Sequence, residues 1–351
     1  MSHRERLALP ETHDKRSAKP APGRLGPAVL LDRGSLDTGD LDDSALAAAC
    51  GPWRFHAATA AADTAGRIAE ASVVVSNKVV IEAAQMDAAP ALRLVCIAAT
   101  GTNNVDLDAA RARGIAVTNV TGYATPAVVQ HVFALLLDWA VGLRARLAAV
   151  RAGAWSASPH FCLLPDTAAG ETPIRELAGL RLGIVGHGEL GRAVAQTAAA
   201  FGMRVLVAQR PGTEQDPPPR GRLPLPRLLP QVDVLSLHCP LAENTRNLIG
   251  TPELAAMRPG ALLINTARGG LVDEAALAAA LRSGRLGAAA LDTLSREPPP
   301  PDHPLLAPDI PNLAITPHVA WASAAARQRL IDEVAANIRA FAAGEHRNRV
   351  D

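Results

Sequence analysis

From Ala28 onward, short apolar runs alternate with longer alanine-rich stretches whose apolar positions recur at helical spacing. This βαβα rhythm predicts parallel sheets with helices packed on their faces. Strand candidates in the first part are Ala28–Asp32, Ser72–Ser76, Leu92–Ile97 and Ile115–Asn119, followed by one helix over Pro126–Leu147. A proline-bearing irregular passage, Trp155–Pro173, leads into a second series of six runs: Arg181–Val185, Arg204–Ala208, Val232–Leu237, Ala261–Asn265, Ala288–Leu291 and Leu313–Thr316. Six is the strand count of a full doubly wound fold. The Pro- and Arg-dense stretch Pro217–Pro230 lies inside that series and reads as a surface loop or broken helix, and an amphipathic pattern over Ala324–Ala343 predicts a closing helix.

A chain of 351 residues predicts two domains. With 48% hydrophobic and 20% charged residues it is an ordinary globular sequence, and at 3% aromatic its cores must pack through Leu, Val, Ile and Ala. Net charge is +1 with no long basic stripe, which argues against nucleic acid as partner. Cys50, Cys96, Cys162 and Cys239 are scattered without a C-x-x-C pair, so neither a zinc site nor a disulfide framework is expected, and a reducing cytoplasm fits. The apolar segment Val128–Leu143 is interrupted by Gln130, His131 and Asp138, as in a buried helix and unlike a membrane span. Residues 1–26, with Pro10, Pro20, Pro22 and mixed charges, read as a flexible tail without the apolar core of a secretory signal.

Chemistry enters at Gly186-His187-Gly188-Glu189-Leu190-Gly191, a G-x-G-x-x-G directly after a strand and at the head of a helix. Gly186 permits the tight turn, Gly188 lets backbone approach a pyrophosphate, and Gly191 brings helix and strand together, with helix N-terminal amides meeting the negative charge. These six residues are the predicted core of a dinucleotide site. About 20 residues after such a fingerprint, an acid ordinarily holds the ribose 2′-hydroxyl of NAD. Here the strand ends in Gln209-Arg210. An uncharged Gln removes repulsion against a 2′-phosphate and the guanidinium can pair with it, which leans towards NADP; NAD held through Gln209 is the alternative.

Three further segments follow successive strands: Asn265–Gly270, Asp292–Pro298 and Thr316–His318. Moving a hydride between a nicotinamide and a 2-oxo acid needs a cation for the substrate and an acid/base working near neutral pH, roles that Arg268 and His318 suit. Glu297, bonded to the far ring nitrogen, would set the tautomer of His318 and favour its protonated form. No metal is needed for that chemistry. Counting singles out one more residue: only Lys15, Lys19 and Lys78 are lysines, every other strong cation being Arg. Lys78, in Ser76-Asn77-Lys78-Val79 after a strand, is a candidate for meeting a substrate carboxylate or hydroxyl, with Asn77 beside it. His131 reads as a packed or interface histidine, His187 as outward-facing and His238 as a strand-end residue, rather than as acid/bases.

At these residues the chain resembles the D-2-hydroxyacid dehydrogenase family. The resemblance covers nearly everything from Ala28 on, and includes Ala99–Asp106, Gly122–Pro126, the fingerprint, His238–Leu241 with Thr245, and the three segments just described. Val129–Leu137 and Thr316–Ser323 look most like the glycerate dehydrogenases, the hydroxypyruvate reductases. The resemblance implies an Arg268, Glu297, His318 triad and a substrate carboxylate held by amides around Thr100, Gly101 and Thr102. It implies that Asp292 orients the nicotinamide carboxamide, and that Thr102, Cys239, Pro240, Thr245, Thr266, Ala267, His318 and Ala320 line the cofactor. It also implies two Rossmann-like α/β domains: a coenzyme domain over 126–317 inserted into a discontinuous substrate domain, 27–125 and 318–351, with hinges at the two crossings. The expected reaction is reduction of hydroxypyruvate to D-glycerate, and of glyoxylate, by a homodimer whose interface is built on the helix starting at Pro126. A phosphoglycerate dehydrogenase-like enzyme and a non-enzymatic dinucleotide-sensing corepressor are the alternatives.

Overall fold

The computed structural model describes residues 25–167, 172–213 and 217–351; the expected tail, with Lys15 and Lys19, lies almost wholly outside the described residues. The chain forms two compact units, one running to Thr121 and resuming at Gln328–Asp351, the other Gly122–Arg327.

In the first unit five parallel strands, β1 (Ala28–Leu30), β2 (Trp53–Phe55), β3 (Val73–Ser76), β4 (Leu94–Ile97) and β5 (Ala116–Thr118), take the order β2-β1-β3-β4-β5. β1, β3, β4 and β5 are buried along their whole length, as strands covered on both faces must be. β2 was not expected. It is a half-exposed edge strand of three residues, too short for a period-2 pattern to show, and it is pinned by stacking of Trp53 on Phe55 and by Arg33 over the Phe55 ring. The C-terminus returns to β5: Val117 donates to Asp351 Oδ1 at 2.8 Å and Val350 donates to the Val117 carbonyl. These bonds close the discontinuous unit.

The second unit holds seven parallel strands among the described residues: β6 (Arg181–Val185), β7 (Arg204–Ala208), β8 (Arg222–Leu223), β9 (Val234–Leu237), β10 (Leu262–Asn265), β11 (Ala288–Leu291) and β12 (Leu313–Ile315). Their order, β12-β11-β10-β9-β6-β7-β8, reverses between β6 and β9. Alternate residues face opposite cores. Val185, Leu235, Leu263 and Leu291 pack on one side, and Ile184, Val234, Ile264 and Ala290 on the other.

Two expectations are corrected here. Pro217–Pro230 is neither loop nor broken helix throughout: it supplies the two-residue edge strand β8 opposite Val207 and Ala208, and a short helix, Leu225–Leu228. The helix expected over Pro126–Leu147 is two helices, Thr125–Val141 and Leu143–Arg151, bent by 57° where Gly142 adopts φ +61°. The first buries Val128, Val132, Phe133, Leu136 and Ala140; the second buries nothing. Along the chain the two units change over at 121/122 and 327/328. The segment after His318 stays with the second unit because Ala320 is buried in its core and the Val319 and Ala320 amides bond Asp292. No single helix among the described residues is long and apolar enough to cross a membrane.

Candidate active site

At the β6/β9 reversal, where doubly wound sheets place ligands, stands the glycine fingerprint. Gly186 has φ +89° and a Cβ there would lie 2.5 Å from the Cys239 nitrogen; a Cβ on Gly191 would lie 2.0 Å from the Gly186 carbonyl oxygen. Only glycine allows either approach. Around Gly188 the space is open to 4 Å. Glu189 accepts from Thr125 Oγ1 at 2.6 Å, which ties the head of the fingerprint helix to the start of the Thr125–Val141 helix. His187 is held below the ordinary imidazole range by burial and by the nearby Arg222 and Arg192 guanidinium groups. At the end of β7, Gln209 is buried and turned into its own loop, donating to Thr213, while Arg210 is exposed.

The loop after β10 carries Arg268. Asn265, fully buried, accepts from the Ala267 amide and donates to the Arg268 carbonyl at 2.8 Å, fixing the loop from beneath. A Cβ on Gly269 would sit 1.9 Å from the Leu294 carbonyl carbon, so glycine is required for this loop to lie against the one that carries Glu297. That second loop is clamped by Glu274, which accepts from the Ser295 amide at 2.7 Å and from His303 Nε2 at 3.1 Å. Since His303 Nδ1 accepts from the Leu305 amide, the proton of its neutral ring is on Nε2.

Glu297 then spans two elements. Its Oε1 accepts from the Leu294 amide at 2.9 Å and its Oε2 lies 2.6 Å from His318 Nδ1. With Nδ1 engaged, Nε2 of His318 is the nitrogen left for a substrate. His318 itself has φ +55°, rare for a residue with a side chain, and the turn is held by its neighbours: Asp292 accepts from Val319 and Ala320, and Trp321 Nε1 donates to the His318 carbonyl at 3.0 Å. Tyr123 packs edge-on against Trp321, and burial pushes its phenol up to about 12, with the Arg268 guanidinium pulling the other way.

The cofactor-lining candidates divide by what their side chains do. Asp292, 1% exposed, accepts from Thr316 Oγ1, Val319 and Ala320, three donors for about four acceptor sites. Thr245 spends its hydroxyl on the Pro240 carbonyl, shaping the Cys239-Pro240 loop. Burial pushes the Cys239 thiol up to about 11. Thr266 Oγ1 and Thr293 Oγ1 are buried without a partner among the described residues. Orphaned hydroxyls just past β10 and β11, in the sheet whose β6 leads into the glycine turn, and open space above Gly188 fit a dinucleotide.

In the first unit, the reversal of strand order lies between β1 and β3. Asp32, buried, accepts there from the Asn77 amide at 2.9 Å and the Lys78 amide at 2.7 Å, and Asn77 Nδ2 donates to Ser35. Lys78 is exposed on a cavity of about 710 Å³ that Ser35, Thr59, Glu82 and Gln85 also line. After β4, Thr100 Oγ1 donates to the Val120 carbonyl and the Thr102 carbonyl accepts from Val105, which shapes the Thr100-Gly101-Thr102 turn. Residues the sequence reading did not single out are Asp32, Asn265, Glu274 and Trp321. Each stands at or just beyond a strand or turn already flagged, and the signal available for Asp32 was an acid directly following an apolar strand.

A family model described as D-isomer specific 2-hydroxyacid dehydrogenase, NAD binding domain, matches residues 133–320. The chain is 42% identical over 285 residues to a glycerate dehydrogenase of Methylorubrum extorquens, covering 81% of this chain and 87% of that protein. It is 35% identical over 328 residues to a hydroxypyruvate reductase of Blautia hydrogenotrophica, covering 92% and 99%. Among solved structures, the NADPH-dependent glyoxylate/hydroxypyruvate reductase of Sinorhizobium meliloti, in complex with NADP and malonate, aligns with a TM-score of 0.75 at 29% identity, over 92% of this chain and 96% of its own.

Proposed function

The chain belongs to the D-isomer specific 2-hydroxyacid dehydrogenase family, and from that premise we propose that it reduces hydroxypyruvate to D-glycerate, and glyoxylate to glycolate. It is an oxidoreductase that acts on CH–OH groups with a nicotinamide dinucleotide. The observation that carries the substrate-level reading is the 2.6 Å contact of Glu297 with His318 Nδ1, beside a loop that presents Arg268.

In this reading Arg268 grips the 2-oxo acid, and the amides around Thr100, Gly101 and Thr102, with Lys78 and Asn77, hold its carboxylate. Reduced nicotinamide, when bound, supplies the hydride. His318 Nε2 gives its proton to the substrate oxygen as that oxygen gains charge, and Glu297 balances the imidazolium before the transfer. The fingerprint residues Gly186–Gly191, with Gln209, Arg210, Cys239, Pro240, Thr266, Ala267 and Ala320, cradle the dinucleotide. Asp292 offers its remaining acceptor site to the carboxamide. NADP is the proposed form, supported by Gln209 in the place of an acid and the exposed Arg210 beside it. We place the enzyme in the cytoplasm, as its scattered cysteines suggest, and as a homodimer. The apolar face of the Thr125–Val141 helix packs in its own core, so the exposed Leu143, Leu147 and Val150 of the following helix are the better interface.

Hydroxypyruvate, glyoxylate, pyruvate and phosphohydroxypyruvate, each with NADH and with NADPH, test the proposal through loss of nicotinamide absorbance. The highest kcat/KM is expected for hydroxypyruvate with NADPH. Preference for phosphohydroxypyruvate would move the assignment to a phosphoglycerate dehydrogenase, and no oxidation with any pair would favour the corepressor.

A further inference from the structure

His131 lies on the Thr125–Val141 helix, 185 residues before Thr316, and its Nε2 is 3.0 Å from Thr316 Oγ1. Thr316 Oγ1 is in turn 2.6 Å from Asp292 Oδ1, and His131 Nε2 is 3.6 Å from that same oxygen. Directions follow from proton counting. A threonine hydroxyl has one proton, the short contact to a carboxylate takes it, and Thr316 Oγ1 therefore accepts from His131 Nε2–H. Beyond Asp292 the chain of bonds continues into backbone: Oδ1 accepts from Val319 at 3.0 Å and Oδ2 from Ala320 at 2.9 Å. Those two amides follow His318 in its left-handed turn, whose own amide donates to the Thr316 carbonyl at 2.9 Å.

We propose that His131 is a positioning residue: through Thr316 it orients Asp292, and through Asp292 it holds the strained turn that presents His318. A carboxylate that is 1% exposed needs its donors, and a non-glycine residue at φ +55° persists only where its surroundings over-determine it. His131 adds a donor from a different element, so the turn is braced by the long helix as well as by β11. The sequence alone marks His131 as a packed or interface histidine, because nothing in a helical pattern tells that Thr316 will lie opposite.

The inference rests on His318 as acid/base only for its kinetic consequence, so the test reads structure and activity separately on the full chain. Hydrogen exchange at the Val319 and Ala320 amides, followed without substrate, is expected to speed up about 10-fold in His131→Leu and in His131→Asn, whose amide is too short to reach Thr316. His131→Gln, which can place a nitrogen where Nε2 stands, restores exchange to within about 3-fold of wild type. With hydroxypyruvate, kcat falls about 10-fold in the Leu and Asn variants while KM moves less than about 2-fold, and Gln again rescues. Adding His131→Leu to Thr316→Val costs no more than Thr316→Val alone, since both cut one chain of bonds. Unchanged exchange in the Leu and Asn variants, or equal losses in Asn and Gln that add to those of Thr316→Val, would overturn the proposal. If wild type does not turn over hydroxypyruvate, the functional reading fails and amide exchange still decides the role of His131.

Discussion

The two units share an architecture and use it differently. Both are parallel sheets that reverse strand order, and both carry a buried aspartate beside a flagged turn: Asp32 under Asn77-Lys78, and Asp292 under the His318 turn. In the first unit that carboxylate holds a turn whose one strong cation, Lys78, is exposed. In the second it accepts from Thr316, which His131 also meets, and from the two amides that follow His318, while Trp321 bonds the His318 carbonyl and Glu297 the ring itself. The contrast matches the roles proposed above: a ring that gives up a proton in one orientation needs support on every side, whereas a cation that attracts a carboxylate needs only charge and reach.

Three measurements would break or sharpen this contrast. The largest effect is expected at the ring itself: His318→Ala should lower kcat about 10³-fold, within the range of general acid–base contributions, with KM for hydroxypyruvate changed far less. A loss below about 10-fold would remove the second unit's claim to the chemistry.

Next comes the buried scaffold. Burial pushes His238, bonded through Nε2 to Ser236, down to about 4 from 6.5. The unfolded chain therefore takes up a proton between pH 6.5 and about 4 that the folded chain refuses. Stability from this site is complete above pH 6.5 and declines as pH falls towards 4, by at most about 3 kcal/mol. His238→Gln should flatten the fall of stability over that window by about one proton, read from urea unfolding at several pH values. An unchanged slope would mean that the imidazole titrates normally in the fold.

The smallest effect tests the first unit. Lys78→Ala should raise KM for hydroxypyruvate about 10-fold and leave kcat within about 2-fold, as loss of binding common to ground and transition states requires. A matching fall in kcat would place Lys78 with the second unit's groups and erase the distinction.

Much of this was legible in the chain. Parallel strands buried on both faces announce themselves as apolar runs, so nearly all of the long ones were found within a residue or two. β2 and β8 were not, because edge strands of three and two residues carry too little pattern. The bend at Gly142 was missed because a glycine inside a helical pattern looks the same whether the helix continues or turns. The tight turn at Gly186 and the strand-end places of the three segments were readable because such a turn restricts residue type and an apolar run marks where its strand ends.

Sequence alone determined the α/β class, the glycine turn and the identity of the ionisable groups, because these depend on local periodicity and on chemistry carried by single residues. Tertiary structure alone decided that Glu297 meets Nδ1 of His318, that Asp292 spends its oxygens on the following amides, and that His131 reaches Thr316 from 185 positions away. Such partnerships depend on which strand ends and helix faces come together, and that is set by packing of the whole core.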